Sequence, residues 1–178
     1  MRTPEAQIEQ ILITREEIDR RVRELGQKIT SDHRGSELVL VCILKGAGIF
    51  WADLSRQIDL PLVSDFVAIS SYRNKTTSSG VVKLDYDLSL SIEGKEVLLI
   101  EDIVDTGRSI AYLKENFLTR KPTSLRLCVL LDKPSRREVE VSVDYVGFTV
   151  PDLFVVGYGL DFCEKFRNLP YIASIVCK

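Results

Sequence analysis

Val97–Ser109 reads V-L-L-I-E-D-I-V-D-T-G-R-S, and these thirteen residues decide the fold. The apolar run Glu96–Ile100 predicts a strand buried on both faces, which delivers Glu101 and Asp102 to the edge of a sheet. Asp105–Ser109 then turns into a helix predicted from about Arg108 to Phe117. Two adjacent carboxylates at such an edge can accept hydrogen bonds from a diol or hold a hard cation such as Mg²⁺. Gly107 lets backbone approach a ligand, and Thr106 and Ser109 offer hydroxyls. The first helical turn adds unpaired N–H groups and the positive end of the helix dipole. The loop suits a phosphate monoester and the acids suit sugar hydroxyls, so a phosphorylated ribose satisfies both at once.

The same alternation extends in both directions. Thr14 and Glu17 read as a capping box for an amphipathic helix over Arg15–Ile29, where Ile18, Val22, Leu25 and Ile29 recur at helical spacing. Leu38–Leu44 predicts a buried strand, Ile49–Ile58 a helix and Leu62–Ile69 a second strand. Ser70–Gly80 (SSYRNKTTSSG) is polar and predicts a flexible loop, with a strand over Val81–Tyr86 beyond it. Ser124–Leu131 predicts another buried strand, and shorter ones are expected at Asp144–Phe148, Phe154–Gly157 and Ala173–Cys177. Strand and helix in repetition imply an α/β fold with a largely parallel central sheet. Ligands bind such sheets beyond the carboxyl ends of the strands, which selects Lys45, Ser70–Ser71, Glu101–Ser109 and Lys133.

The bulk properties fit one soluble domain. The chain has 178 residues, 45% hydrophobic and 28% charged, with a formal net charge of −2. That balance supplies no global basic field for nucleic acid or anionic membrane. The N-terminal segment carries acids and does not read as a signal peptide, and no apolar run approaches the ~18 residues of a spanning helix. Four scattered cysteines without a CxxC pair, two of them inside apolar runs, suggest buried free thiols in a reducing, cytoplasmic setting. The only histidine, His33, lies in a polar stretch and reads as a solvated loop residue. That argues against zinc and against histidine-dependent nucleophilic catalysis.

Val97–Ser109 closely resembles the phosphoribosyl pyrophosphate (PRPP) motif of type I phosphoribosyltransferases, two acids after an apolar strand followed by a D-T-G-x-[ST] loop. The resemblance implies that Glu101 and Asp102 bind the ribose hydroxyls and that Asp105, Thr106, Gly107, Arg108 and Ser109 cradle the 5′-phosphate. It implies a pyrophosphate-binding loop at Lys45-Gly46 that can contain a non-proline cis peptide, and a mobile catalytic lid at about 70–80 in which Ser71-Tyr72 folds over PRPP. Lys133 matches the lysine that contacts the purine O6. An ammonium only donates hydrogen bonds, which favours an oxo over an amino purine.

Pro151–Arg167 (PDLFVVGYGLDFCEKFR) resembles the purine-binding segment of the hypoxanthine-guanine branch. There Phe154 would stack on the base, Val155 would bond its edge through the backbone, Asp161 would help position Mg²⁺, and Arg167 would bind pyrophosphate. Asp105 would be the general base, or hydrogen-bond partner, at N7. The fold implied is a single type I phosphoribosyltransferase domain over 1–178, its parallel sheet flanked by helices. A small hood would form from N- and C-terminal segments, the purine-binding part at about 151–178. Mg²⁺, with Glu101, Asp102 and Asp161 as ligands, is the expected cofactor. PRPP and a 6-oxopurine are the expected substrates, and a homodimer or homotetramer the expected assembly.

Two other readings compete. Asp105-Thr106-Gly107 is also an aspartic protease signature, but those enzymes need an all-β frame and two facing copies. A phosphoribosyltransferase-fold regulator that binds RNA would use a basic face, to which Arg20, Arg21, Arg23, Arg136 and Arg137 could contribute; these read instead as solvated.

Overall fold

A computed structural model describes residues 6–74 and 77–177, and side chains within that range except those of 71–82 and of Cys177. In chain order the elements are β1 (Ala6–Ile13), α1 (Arg15–Asp32), β2 (Leu38–Leu44), α2 (Gly48–Ser55), β3 (Leu62–Asn74), β4 (Thr77–Tyr86) and β5 (Glu96–Val104). Then follow α3 (Arg108–Leu118), β6 (Ser124–Asp132), a 3-10 turn at Pro134–Arg136, β7 (Tyr145–Thr149), β8 (Val155–Val156) and β9 (Ile172–Cys177).

Six strands form the central sheet in the order β4-β3-β2-β5-β6-β7. All neighbours are parallel except β3 and β4, which pair antiparallel. Side chains alternate across the sheet, so each buried strand feeds two cores. Leu38, Leu40 and Cys42 of β2 join Leu98 and Ile100 of β5 under α1 and α2, which contribute Ile18, Val22, Ile29, Phe50 and Leu54. Val39, Val41, Val97 and Leu99 face the other way, onto Ile110, Leu113 and Phe117 of α3. Thr14 caps α1 as its sequence implies: its hydroxyl accepts from the Glu17 N–H, and the Glu17 carboxylate accepts from the Thr14 N–H at 2.8 Å.

A second, three-stranded antiparallel sheet in the order β1-β9-β8 makes a hood from the two ends of the chain. Its first strand is absent from the pattern reading. Gln7, Glu9 and Gln10 dilute the apolar alternation of β1, because most of the strand is solvent-exposed. What holds it is pairing with β9 at the far end of the chain, from Ala6↔Cys177 to Ile13↔Ile172.

Further expectations change. β5 continues through Glu101 and Asp102 to Val104, because β6 runs on beside it (Glu101↔Val129, Val104↔Asp132), so the acid pair lies within the strand. The segment expected as a loop from Ser70 to Gly80 is largely an antiparallel ribbon, with Ser71↔Val82 and Asn74↔Thr77 in register; residues 75 and 76 lie outside the described set. Serine, threonine and tyrosine tolerate an extended, edge-like strand well.

His33, read as solvated, is buried. It ends α1, its N–H donating to the Ile29 carbonyl, while its ring bonds Glu96 at 2.5 Å and Tyr145 at 3.4 Å. Polar sequence neighbours do not report burial when the partners arrive from elsewhere in the chain. Arg21 is likewise committed, donating to the carbonyls of Val146 and Gly147 along the outer edge of β7.

Candidate active site

The direction of the sheet reverses between β2 and β5: from β2 the chain proceeds to β3 on one side, while β5 lies on the other. The crevice at such a reversal, beyond the carboxyl ends of the strands, is the favoured ligand position. β2 stays paired with β5 only as far as Cys42↔Ile100, so the next β5 residues, Glu101 and Asp102, stand where the crevice opens. Burial pushes the Asp102 carboxyl up to about 6. It raises Glu101 well above its usual value too, with the Asp102 charge adding to the effect. The Ile103 N–H at 2.8 Å and the Arg167 charge oppose the rise at Asp102.

Gly46, after β2, closes one wall. A β-carbon there would fall 1.7 Å from an Asp102 carboxylate oxygen, so any larger residue would push that side chain from its present place. On its other side Gly159 of the hood, at φ +104, packs so tightly that a β-carbon would meet the Gly46 carbonyl at 2.0 Å. Three segments distant in sequence thus meet, the Gly46 and Gly159 loops backbone to backbone and the Asp102 carboxylate against Gly46. The Leu44-Lys45 peptide in this loop is cis. The Lys45 ammonium reaches Glu164 of the hood at 3.3 Å, and Arg167 pairs with both Asp161 (2.7 Å) and Glu164 (3.3 Å) while donating to the Gly159 carbonyl.

Two cavities share the wall formed by Ile103 and Asp105. The smaller, about 100 Å³, is lined by Glu101, Asp105, Thr106, Gly107 and Ser109 at the start of α3. Gly107 caps that helix in the left-handed region at φ +85. The larger, about 250 Å³, is lined by Asp102, Lys133, Phe154, Val155 and Asp161 together with Leu160. The Lys133 chain is buried, and its ammonium donates to the Leu153 carbonyl at 2.5 Å, which ties the end of β6 to the hood. Phe154 is 55% exposed and meets Phe162 edge to face at 5.5 Å, so a ring face is available to a planar ligand.

Nearly all the residues selected from sequence therefore converge here. Arg108 turns outward to pair with Glu138 at 2.6 Å. The side chains of Ser71 and Tyr72 lie outside the described set. Missed by the sequence reading are Arg136 and Arg137: Arg137 is largely buried, ion-paired with Asp132 and donating to the Asp105 carbonyl, and Arg136 reaches the Asp105 carboxylate at 3.3 Å. They lie three and four residues beyond Lys133, and their place in the turn that ends β6 is the signal that marks them.

A larger cavity of about 600 Å³ lies between α1, α2 and the hood turn at Tyr158. Two of its charged pairs are internal, Asp53 with Arg56 and Asp19 with Arg15, and the Tyr158 hydroxyl donates to Asp53. Its lining has no adjacent acid pair and no glycine turn at a helix start.

Residues 8–163 match the family model described as the phosphoribosyl transferase domain. The chain is 51% identical over 168 residues to the hypoxanthine-guanine phosphoribosyltransferase of Bacillus subtilis, covering 94% of this chain and 93% of that protein. It is 50% identical to a bifunctional TilS/HprT protein of Listeria monocytogenes, where the match covers 94% of this chain and 26% of the relative. Among solved structures, a hypoxanthine-guanine phosphoribosyltransferase of Bacillus anthracis with HEPES in its active site superposes with a TM-score of 0.91. That pair is 45% identical, covering 97% of this chain and 99% of the other.

Proposed function

The chain belongs to the phosphoribosyl transferase family, in its hypoxanthine-guanine branch, and from that premise we propose how its own residues carry out the reaction. It is a purine salvage enzyme that moves the 5-phosphoribosyl group of PRPP to N9 of hypoxanthine or guanine, giving the nucleotide and pyrophosphate. The observation that carries this reading is the pair of cavities meeting at Asp105, one built for a phosphate and one for a planar base.

PRPP lies along the crevice. Thr106, Gly107, Ser109 and the N–H groups of the α3 start bind its 5′-phosphate. Glu101 and Asp102 accept hydrogen bonds from the ribose hydroxyls. Lys45-Gly46, Ser71, Tyr72 and Arg167 hold the pyrophosphate; Arg167 must then exchange some of its contact with Asp161 and Glu164 for phosphate oxygens, which suit its planar fork. The purine occupies the larger cavity, with Phe154 against its face, the Val155 backbone at its edge and the Lys133 ammonium on O6.

As the anomeric carbon releases pyrophosphate with its bonding electron pair, N9 supplies the new pair and the ribose passes through a cationic state. The proton on N7 is drawn to the Asp105 carboxylate, whose main contribution is orientation with partial proton transfer.

The donor set fits Mg²⁺. Adjacent carboxylates whose charged forms are disfavoured by burial gain from a hard cation, and Asp161 stands across the crevice. Among the described residues no group of three or more potential ligands closes around one point, and substrate oxygens would complete the set that Glu101, Asp102 and Asp161 begin. Held by Glu101, Asp102 and Asp161, Mg²⁺ would supply positive charge to offset that of the leaving pyrophosphate.

A cytoplasmic setting and a homodimer or homotetramer complete the reading. The cytoplasmic setting draws support from Cys42 and Cys128, free buried thiols that burial pushes above the ordinary thiol range. Among the described residues no helix is long and apolar enough to cross a membrane.

Pyrophosphate release, assayed with PRPP, Mg²⁺ and each purine in turn, is the test. Release with hypoxanthine or guanine and not with adenine is expected. Release with none, or equally with adenine, overturns the reading.

A further inference from the structure

The stretch that follows Lys133 acts as a strap across the back of the phosphate loop. The Lys133 N–H donates to the Val104 carbonyl at 3.0 Å, and the N–H groups of Glu138 and Val139 both donate to the Thr106 carbonyl at 3.0 Å. Arg137, held by Asp132, donates to the Asp105 carbonyl at 3.2 Å. So the Asp105 backbone is fixed by Arg137. Its side chain is engaged by Arg136, whose Nε lies 3.3 Å from Oδ1 while another guanidinium nitrogen lies 3.7 Å from the Asp152 carboxylate of the hood. Among the described residues nothing bonds the second Asp105 oxygen, and Asp105 lines the purine cavity.

We infer that Arg136 is a positioning residue for the transfer step, holding one oxygen of Asp105 so that the other is presented to the purine. This rests on the function proposed above. The geometry suits it: a planar fork bridging Asp105 and Asp152 restrains the carboxylate through two anchors, one in the phosphate loop and one in the hood.

In the free protein Arg136 and Asp105 are 49% and 41% exposed, so water screens the pair and it contributes little to stability. A base docked in the cavity displaces that water, and the same pair then acts at a lower effective dielectric. An interaction that tightens only as the reacting groups assemble acts on kcat more than on PRPP binding.

A double-mutant cycle tests this, with kcat, purine KM and PRPP affinity measured for the wild type, Arg136→Gln, Asp105→Asn and the double variant. Arg136→Gln is expected to lower kcat about tenfold with PRPP affinity changed less than about twofold, and to have almost no further effect in the Asp105→Asn background. Arg136→Lys, which keeps the charge and loses the fork, should recover part of kcat. Melting temperatures should stay within about 2 °C of the wild type, as befits an exposed pair.

An equal loss from Arg136→Gln in both backgrounds, or none in either, overturns the inference and leaves the enzyme assignment standing. Wild-type turnover by Asp105→Asn removes both the chemistry proposed for Asp105 and the role of Arg136.

Discussion

The phosphate loop and the purine cavity share a wall, yet they are built in opposite ways. Glu101 to Ser109 lies within one strand, one turn and the start of one helix, so its geometry follows from neighbours along the chain. The purine cavity draws Asp102 from β5, Lys133 from the end of β6 and Phe154, Val155, Leu160 and Asp161 from the hood, and the hood is itself held by strands from both termini. Under the function proposed above, a site of the first kind would recognise a phosphorylated ribose. The second kind would choose the acceptor, and changes in hood packing would alter that choice without touching the loop.

Asp105 belongs to both regions and breaks the comparison most sharply. Asp105→Asn keeps the shape of the loop and removes the carboxylate charge, so kcat is expected to fall about a hundredfold or more. PRPP binding, followed by calorimetry, should persist. If PRPP binding falls as far as kcat, Asp105 serves the donor alone and the two regions do not share it.

Asp102 tests the cost of the donor side. Its carboxyl is raised from 3.8 to about 6, so between about pH 4 and pH 6 the folded chain keeps a proton that the unfolded chain has lost. This group's contribution to stability is therefore full at low pH, falls as pH rises through that window, and stays low above it. Asp102→Asn is expected to stabilise the substrate-free protein by about 1–3 kcal/mol at pH 7.5 in the presence of a chelator, and to give little gain at pH 4. An equal gain at both pH values would show that burial of the charge is not its source. PRPP binding should weaken in the same variant.

Lys133→Gln probes the acceptor side. It should raise the KM for hypoxanthine by about tenfold, as loss of one charge-assisted hydrogen bond implies, with PRPP affinity unchanged. Parallel losses of both would mean that Lys133 acts by tying the end of β6 to Leu153 and not by touching the base.

Phe154→Ala should have the smallest effect, about fivefold on purine KM. Base–aromatic stacking contributes on the order of 1 kcal/mol, and the ring already stands half in solvent. No change would place the stacking partner elsewhere in the hood.

These contrasts follow the way the two regions were read from sequence. The loop was recognised because strand periodicity, paired acids and a glycine turn occur in one continuous run, each feature local. Lys133 was found by looking just past a buried strand, whereas Arg136 and Arg137 three and four residues further on passed as solvated. Their partners Asp105, Asp132 and Asp152 lie in separate segments that only folding assembles. The same holds for Arg21 on the edge of β7 and for His33 against Glu96 and Tyr145. A basic or polar residue has no local mark of burial, since its environment is supplied by distant chain. β1 stayed unread because its strand character comes from β9 and hardly from its own side chains.

By itself, then, the sequence determined the α/β alternation, the acid pair and phosphate turn of Val97–Ser109, and the aromatic segment that points to a purine. Those depend on backbone periodicity and on turn and cap chemistry, which act over a few residues. Only the tertiary structure decided that Gly46 lies against Asp102 and Gly159 against Gly46, that β1 closes the hood, and that Arg136 reaches the Asp105 carboxylate. Each of these joins segments far apart in the chain, and such contacts are set by how the sheet reverses and packs, which no local pattern encodes.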